Sequence, residues 1–516
     1  MRSFLNASPL KKTLDNWYFL YFCLLLVAYL SRAAVLGNPF IFSDEEFYLF
    51  VGGRMLHGDL PYVDIWDRKP IGIFLIYEFF HLFGPYRIWA YQIGALLSAW
   101  LTSIFCFKIA RSIAPIGGAF CAGCLYLTWI VGFGGAGGQT PIFYNTLVTG
   151  AVLLIVKYIN EKSLNRLDST ACWVMILFGL AIQIKPTVVF EGVFAGLYLL
   201  WILYKEQTKN WFSICAHAIA WCLIALLPTL AVITFYTSIH HLHEWWFANV
   251  NSIFLKSNTF YNNASLLRGP IHNALLIFVL YLGTFCLRLL LTDRKILSAS
   301  NYFLAGWGIA ALGGYLVFGC FDKHYALPLF APLFINAAPL WGSAIICVVS
   351  FINTTTTRSS SPRHFKIGQL IIIALLIVGV FETKKGVKSI RKQGSPHDFM
   401  IISQLLSSDP GCIFNMRAPD ILLDIIPYCP LTRLPFSNQL GTTIEKNALP
   451  MDPLPEIKHI LSQSPLYILM DRDPYDDNIN PETEKFILGI INKSYKEIYR
   501  HRINENLDNI IIYKHK

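Results

Sequence analysis

The chain has 516 residues, of which 54% are apolar, 15% aromatic and only 14% charged, and it carries a formal net charge of +10. Soluble globular chains contain about 25% charged residues, so the composition argues against an ordinary soluble protein. The positive excess does not imply nucleic acid, because much of it lies in short loops at alternate turns of the chain.

The apolar residues come in long runs, at positions 17–37, 88–110, 118–133, 142–159, 172–184, 187–204, 211–236, 273–291, 302–319, 325–352 and 367–381. A helix needs roughly 20 apolar residues to cross the hydrocarbon core. Inside lipid every backbone polar group must be paired within the protein, so such runs predict helices. These runs predict about eleven crossings. The stretch 71–84 is borderline in length. The first run is too long for a cleavable signal, and no small-residue cleavage site follows it.

Arg2, Lys11 and Lys12 precede the first run. Lys108 and Arg111, Lys162 and Arg166, Lys205 and Lys209, Arg294 and Lys295, then Arg358, Arg363 and Lys366 follow at alternate turns. Positive short loops mark the cytoplasmic face, so the N-terminus is expected there. The opposite face receives residues 38–70, 134–141, 238–270 and 321–324. With eleven crossings the C-terminal region is also outside. Lys384, Lys385, Lys388, Arg391 and Lys392 after the last run oppose this, but long domains translocate largely regardless of charge.

Two domains are expected, an all-α polytopic membrane domain over residues 1–381 and a small soluble α/β domain over 382–516. In the second, helices are predicted at 398–406, 453–461 and 481–491. Strands are predicted at 412–415, 466–470 and 510–513, where short β-branched or aromatic runs are bounded by Pro, Gly and Asp. Most of the twelve cysteines lie in the hydrophobic runs and read as small hydrophobes, and the spacing, read as lacking any Cys-x-x-Cys pair, gives no zinc pattern. Cys412 and Cys429 are in the soluble region. They read as two isolated thiols, a disulfide being the alternative if that region is outside.

The segment from Phe42 to Gly72, FSDEEFYLFVGGRMLHGDLPYVDIWDRKPIG, concentrates the chemistry. Ser43 and Glu46 have capping-box spacing. The helix they open would lie in the membrane interface, with Phe47, Phe50 and Val51 on an apolar face and His57-Gly58 at its end. Asp44, Glu45, Glu46, Asp59, Asp64, Asp67 and Lys69 all fall in this one loop. A carboxylate beside apolar surface has raised proton affinity and can act as a general base. The plainer reading is that acids at a helix start complement the helix dipole, and that Asp59 and Asp64 order turns around Pro61.

The order Asp44-Glu45, Gly58-x-x-Pro61-Tyr62-x-Asp64, Asp67-x-Lys69-Pro70 resembles the first external loop of the GT-C membrane glycosyltransferases, which use lipid-linked sugar donors. These include protein O-mannosyltransferases, lipid A aminoarabinose transferases and enzymes of lipopolysaccharide-core assembly. Gly179-Leu180-Ala181 with Lys185, and Lys323-His324-Tyr325 before Leu327-Pro328, are similar to later signatures of that group. The resemblance implies a GT-C fold with interfacial helices in the first external loop. It implies an inverting transfer from a polyprenyl-phosphate sugar to a lipid, glycan or protein acceptor at the outer face of a bacterial inner membrane.

Carried over to this chain, Asp44 would be the base that takes the acceptor proton, and Glu45 would support it. Lys69 would neutralise the donor phosphate, with Tyr62, Asp64, Asp67, Lys185, His324, Tyr325, Gln139 and Arg268 as further donor or substrate contacts. A snorkelling lysine and a belt tyrosine are the plain alternatives for Lys69 and Tyr325. The external stretch Gly132 to Asn145 lacks the second acid of many relatives and offers only Gln139 and Asn145. No metal and no cofactor are expected. The partners implied are the lipid-linked donor, the acceptor and membrane lipids, with no nucleic acid, and the chain is expected to act as a monomer. A flippase, a polysaccharide polymerase or ligase, and a non-catalytic scaffold are the competing readings. The loop 238–270 is rich in His and Trp but has only one acid, Glu244, and no metal-binding helical spacing.

Overall fold

A computed structural model describes residues 17–161, 166–206, 210–255, 268–291, 298–318, 322–341, 363–425, 427, 429–472, 478–504 and 507–516. Each of the eleven predicted runs contains a helix: Trp17–Arg32, Arg87–Ala110, Ile116–Gly132, Thr140–Glu161, Leu167–Ile182, Val189–Glu206, Trp211–Ser238, Arg268–Leu291, Ala299–Phe318, Leu327–Trp341 and Arg363–Gln393. Among the described residues, four helical segments are by themselves long and apolar enough to cross a membrane: Gly84–Ala110, Thr140–Glu161, Pro186–Glu206 and Trp211–Ser238. The last is only 6% buried over its most apolar window, so its Phe212, Ile219, Leu223 and Leu227 are left for lipid. The chain is a polytopic membrane protein with a small C-terminal sheet.

The chain divides into two compact units, Met1–Ala34 with Gly94–Leu227 and Pro270–Val387, and Val35–Ile93 with Pro228–Gly269 and Lys388–Lys516. In the first, Leu327–Trp341 packs on Ile116–Gly132 and on Ala299–Phe318, which in turn packs on Val189–Glu206. Apolar burial drives little helix association in lipid, so close fit and polar links must do more. Trp129, Phe133, Phe330 and Phe334 interlock between the first two of these helices. The Trp129 indole donates to the Leu375 carbonyl at 3.0 Å. A Cβ on Gly306 would meet the Phe194 ring at 2.4 Å, so only glycine permits that approach.

The second unit contains the C-terminal domain. Its predicted helices appear as Pro396–Ser408, Pro453–Ser462 and Pro481–Ser494. Each has proline at its start and a side-chain cap, from Ser395, Asp452 and Asn480 respectively. The three predicted strands appear as β1 (Ile413–Asn415), β2 (Tyr467–Arg472) and β4 (Leu507–His515). A fourth strand, β3 (Tyr495–Asn504), was not predicted. The sheet order is β1-β2-β4-β3, with β1 parallel to β2 and the other pairs antiparallel. Arg417, just past β1, ties Asp471 of β2 at 2.7 Å to Glu484 at 2.9 Å.

Two cysteine readings are corrected. Cys412 and Cys429, read as isolated thiols, form a disulfide with Cα atoms 5.2 Å apart. The sequence also does hold one Cys-x-x-Cys spacing, Cys121 and Cys124, and both are free thiols on Ile116–Gly132. Among the described residues no group of three or more His, Cys, Asp or Glu is placed to hold a metal. The disulfide closes a loop with a sequence separation of 17. A loop of that size confers about 2–4 kcal/mol. Cys412→Ser is therefore expected to destabilise the C-terminal domain by that amount, read from urea unfolding in detergent. Non-reducing mass analysis of the wild type should show one bonded pair.

Candidate active site

The first external segment builds its site from one short helix, Ser43–Met55. It follows Phe42 in extended conformation and has no side-chain cap. The expected Ser43/Glu46 capping box does not form, because Glu46 faces the amide of Ile421, whose N–H donates at 3.2 Å. Nor does the helix keep one apolar and one polar face: every residue from Glu45 to Gly53 is buried. Gly52 packs where a Cβ would meet the backbone of Tyr77 and Glu78, and Phe47 stacks on Phe436 at 4.7 Å.

Three consecutive acids occupy the first turn, Asp44, Glu45 and Glu46. Successive helical side chains point about 100° apart, and the three fates differ accordingly. Glu45 is fully buried, its charge felt by Tyr77 and Tyr91. Glu46 is buried too, and loss of hydration raises its proton affinity to a pKa of about 7, against the pull of the Ile421, Ile41 and Asp420 amides. Asp420 is pushed up in the same way, first by burial and then by the nearby Glu46 and Asp44 charges. Asn415, and Ser437 through its amide and hydroxyl, donate to it. Asp44 alone keeps access to solvent, at 21% side-chain exposure.

Lys69, 25 residues further on, comes to Asp44: its Nζ lies 3.2 Å from Oδ1. The same ammonium lies 5.3 Å above the Tyr48 ring. The chain between is fixed by its own polar groups. The Tyr62 hydroxyl donates to the Lys69 carbonyl at 2.8 Å, and Asp67 accepts from the Arg68 and Lys69 amides. Asp64 accepts from the Leu60 amide at 2.8 Å, and Asp59 pairs with Arg54 at 2.7 Å. Tyr62, Asp64 and Asp67, expected as donor contacts, thus engage the loop's own backbone. Tyr62 sits at φ +71°, a costly conformation for a non-glycine residue. Surrounding contacts hold it there: its ring packs on Tyr236 at 5.4 Å and its carbonyl accepts from Arg433 at 3.0 Å.

The C-terminal domain supplies much of this scaffold. The Trp66 amide donates to the Arg433 carbonyl, and Gln439 donates to the Trp66 carbonyl, both at 2.8 Å. Arg68 makes a two-point pair with Glu445. Asp424 receives His81 at 3.2 Å and Arg87 at 2.5 Å.

All the remaining candidates except Arg268 lie in the other unit, at or beside helix ends. Lys185 is buried and precedes the short 3₁₀ turn Pro186–Val188. Its Nζ lies 3.7 Å from the centre of the Tyr325 ring, a close cation–π contact. His324 stacks beside Tyr325 at 4.5 Å within the turn Lys323–Ala326. Gln139 is buried, and Asn145 donates to the Tyr126 hydroxyl and the Leu327 carbonyl, each at 3.4 Å. Arg268 opens Arg268–Leu291, and its side chain lies outside the described residues. Two groups escaped the sequence reading. Arg32, fully buried, donates to the Gly135 carbonyl at 2.9 Å, and Glu191, also buried, accepts from Trp307 at 2.6 Å. Each is a single charge inside an apolar run, which is the only signal that could have marked it.

No protein-family model and no curated protein matches the chain. Among solved structures it is similar to apo ArnT, an aminoarabinose transferase from Cupriavidus metallidurans, with 15% identity, a TM-score of 0.57, and 97% of this chain and 98% of that one covered. It is likewise similar to that protein bound to undecaprenyl phosphate, at 13% identity, TM-score 0.52 and 96% and 98% coverage. The oligosaccharyltransferase AglB of Archaeoglobus fulgidus, in complex with an inhibitory peptide and a dolichol-phosphate, is similar at 11% identity, TM-score 0.53 and 90% and 70% coverage. At such identities the likeness is one of fold. The chain has the GT-C fold that its first-loop motifs led us to expect.

Glu46 generates a prediction about pH. Its folded pKa, about 7, lies above the ordinary 4.5. The folded state therefore holds the proton more tightly, and the stabilisation is complete at acid pH and lost as pH rises through 7. Asp420 acts in the same direction. The thermal midpoint of wild type in detergent should fall between pH 5 and pH 8, and Glu46→Gln should flatten that slope. An equal slope in the variant would contradict the assignment.

Proposed function

We propose that the protein is an inverting glycosyltransferase that moves a sugar from a polyprenyl-phosphate donor to a lipid, glycan or protein acceptor. The observation that carries the reading is the Asp44–Lys69 ion pair. The first-loop resemblance named these two residues, and a 3.2 Å contact joins Lys69 to the first turn of a helix that is otherwise largely enclosed. The GT-C fold supports the same class of reaction, as does the undecaprenyl phosphate held by one similar protein.

In this reading the acceptor hydroxyl attacks the anomeric carbon in line. Its oxygen forms the new glycosidic bond, the bond from the anomeric carbon to the phosphate oxygen breaks, and polyprenyl phosphate departs. Asp44 takes the hydroxyl proton, and a single displacement inverts the centre. Lys69 meets the donor phosphate, at a position set by Tyr62 and Asp67. Glu45 supports the first turn from its buried position. Lys185, His324 and Tyr325 are assigned to the donor phosphate or sugar, and Gln139 and Arg268 to substrate contact. The reaction is assigned to the outer face of a bacterial inner membrane, with the N-terminus cytoplasmic and the C-terminal domain periplasmic. The Cys412–Cys429 bond supports that side, since disulfides persist in oxidising compartments. The chain is taken to act alone, with no metal or cofactor.

Replacing Asp44 by Asn should lower transfer by about 10²–10⁴-fold, the range of a general base, with the protein present at normal level. Glycan mass spectrometry in a strain lacking the native copy is the measurement, and an unchanged profile would refute the role. Lys69→Ala should raise KM for the lipid-linked donor at least tenfold, about 1.4 kcal/mol, with less effect on the acceptor's KM. Equal effects on both substrates would count against a phosphate contact.

A further inference from the structure

Glu191 is a carboxyl group that the proposed reaction does not use. It lies near the start of Val189–Glu206, whose only other charges are Lys205 and Glu206 at the far end, and is 4% exposed. Burying such a group is costly unless it is partnered, and a charge at membrane depth is seldom kept without a task. One oxygen, Oε1, accepts the Trp307 indole N–H at 2.6 Å. Its other oxygen takes no hydrogen bond from the described residues.

The carboxyl instead lines a narrow pocket with Tyr144, Thr187, Tyr315 and Tyr325. Tyr325 is the ring under the Lys185 ammonium, 3.7 Å away. One tyrosine is thus shared by a cation suited to phosphate and a pocket that ends in a hydrogen-bond acceptor. Aromatic walls with one carboxyl and the hydroxyls of Thr187, Tyr144, Tyr315 and Tyr325 suit one hydrogen-bonding substituent of a polyhydroxylated ring.

We propose that this pocket receives one hydrogen-bond-donating substituent, a hydroxyl or an ammonium, of the donor's sugar, and that Glu191 decides which sugar is accepted. The proposal rests on the glycosyl-transfer reading. Glu191→Gln is the discriminating change. Its amide oxygen still accepts from Trp307, so the packing is kept, while an N–H₂ replaces the acceptor facing the pocket. A carboxyl held only for structure tolerates this, whereas one that receives a donor does not.

The full chain in nanodiscs is titrated with undecaprenyl phosphate, undecaprenyl-phosphate glucose and undecaprenyl-phosphate aminoarabinose. Wild type should bind one sugar-bearing lipid at least tenfold more tightly than undecaprenyl phosphate. Glu191→Gln should lose that margin and bind undecaprenyl phosphate as wild type does. Thr187→Val, isosteric and lining the same pocket, should reduce the margin about threefold, and it carries the test should the glutamine variant not fold. A full margin in the folded variants overturns the proposal. So does a wild type that binds all three lipids alike, or a variant that loses undecaprenyl phosphate equally. A wild type that binds none of the three defeats the glycosyl-transfer reading itself.

Discussion

The first turn of the helix Ser43–Met55 is the constraint on which the candidate site depends. Three adjacent carboxylates leave a helix in three directions, and only one direction here leads to solvent. Glu45 goes in among tyrosines, and Glu46 goes to the Ile421 amide. Once those two are buried, the rotation of the helix about its axis is set, and with it the position of Asp44. Burying two acids so close together is unfavourable, and loss of hydration raises the proton affinity of Glu46. Contacts around them must offset this. The Phe47–Phe436 stack, the tight seat of Gly52 and the amides around Glu46 provide such contacts.

Much of that compensation comes from the C-terminal domain, through its irregular stretch rather than its sheet. Residues between Asp420 and Glu445 meet the first external segment at Ile421, Arg433, Gln439 and Glu445, and Asp424 holds His81 and Arg87 just beyond it. Such a segment has no ladder of its own, so its polar backbone is satisfied by what it packs against. The sheet anchors it at one end, where Arg417 is held by Asp471 and Glu484. The C-terminal region is therefore part of the framework that holds Asp44 and Lys69 in place.

The membrane helices were legible because lipid imposes one rule on every residue of a run, and all eleven runs contain a helix. The C-terminal helices were legible from proline and capping residues, which act locally. Strand β3 was not, because its sequence YKEIYRHRIN is charged and sits at the sheet edge, where few residues are enclosed. The capping box at Ser43 failed for a different reason. Spacing cannot reveal that a distant amide, at Ile421, competes for Glu46. Asp64 accepts from the Leu60 amide across Pro61, and Asp59 pairs with Arg54. Asp44 and Lys69 were identified by resemblance to a known loop, and no periodicity or spacing would have paired them across 25 residues. Glu191 and Arg32 were hidden by the apolar runs that contain them.

The Asp44–Lys69 pair also bears on the order of events in the proposed reaction. About a fifth of each side chain remains exposed, so the pair is part-buried yet open to solvent. A phosphodiester arriving at Lys69 offers the ammonium a second anion without first removing Asp44. In that reading the ammonium would turn toward the phosphate and leave the Asp44 carboxylate without its counter-charge as the acceptor hydroxyl arrives. The leaving polyprenyl phosphate carries more negative charge than the diester and holds Lys69 more firmly. Release of the lipid product and re-formation of the Asp44–Lys69 pair are then one exchange. In the proposed reaction this one contact would both poise Asp44 as the base and reset it.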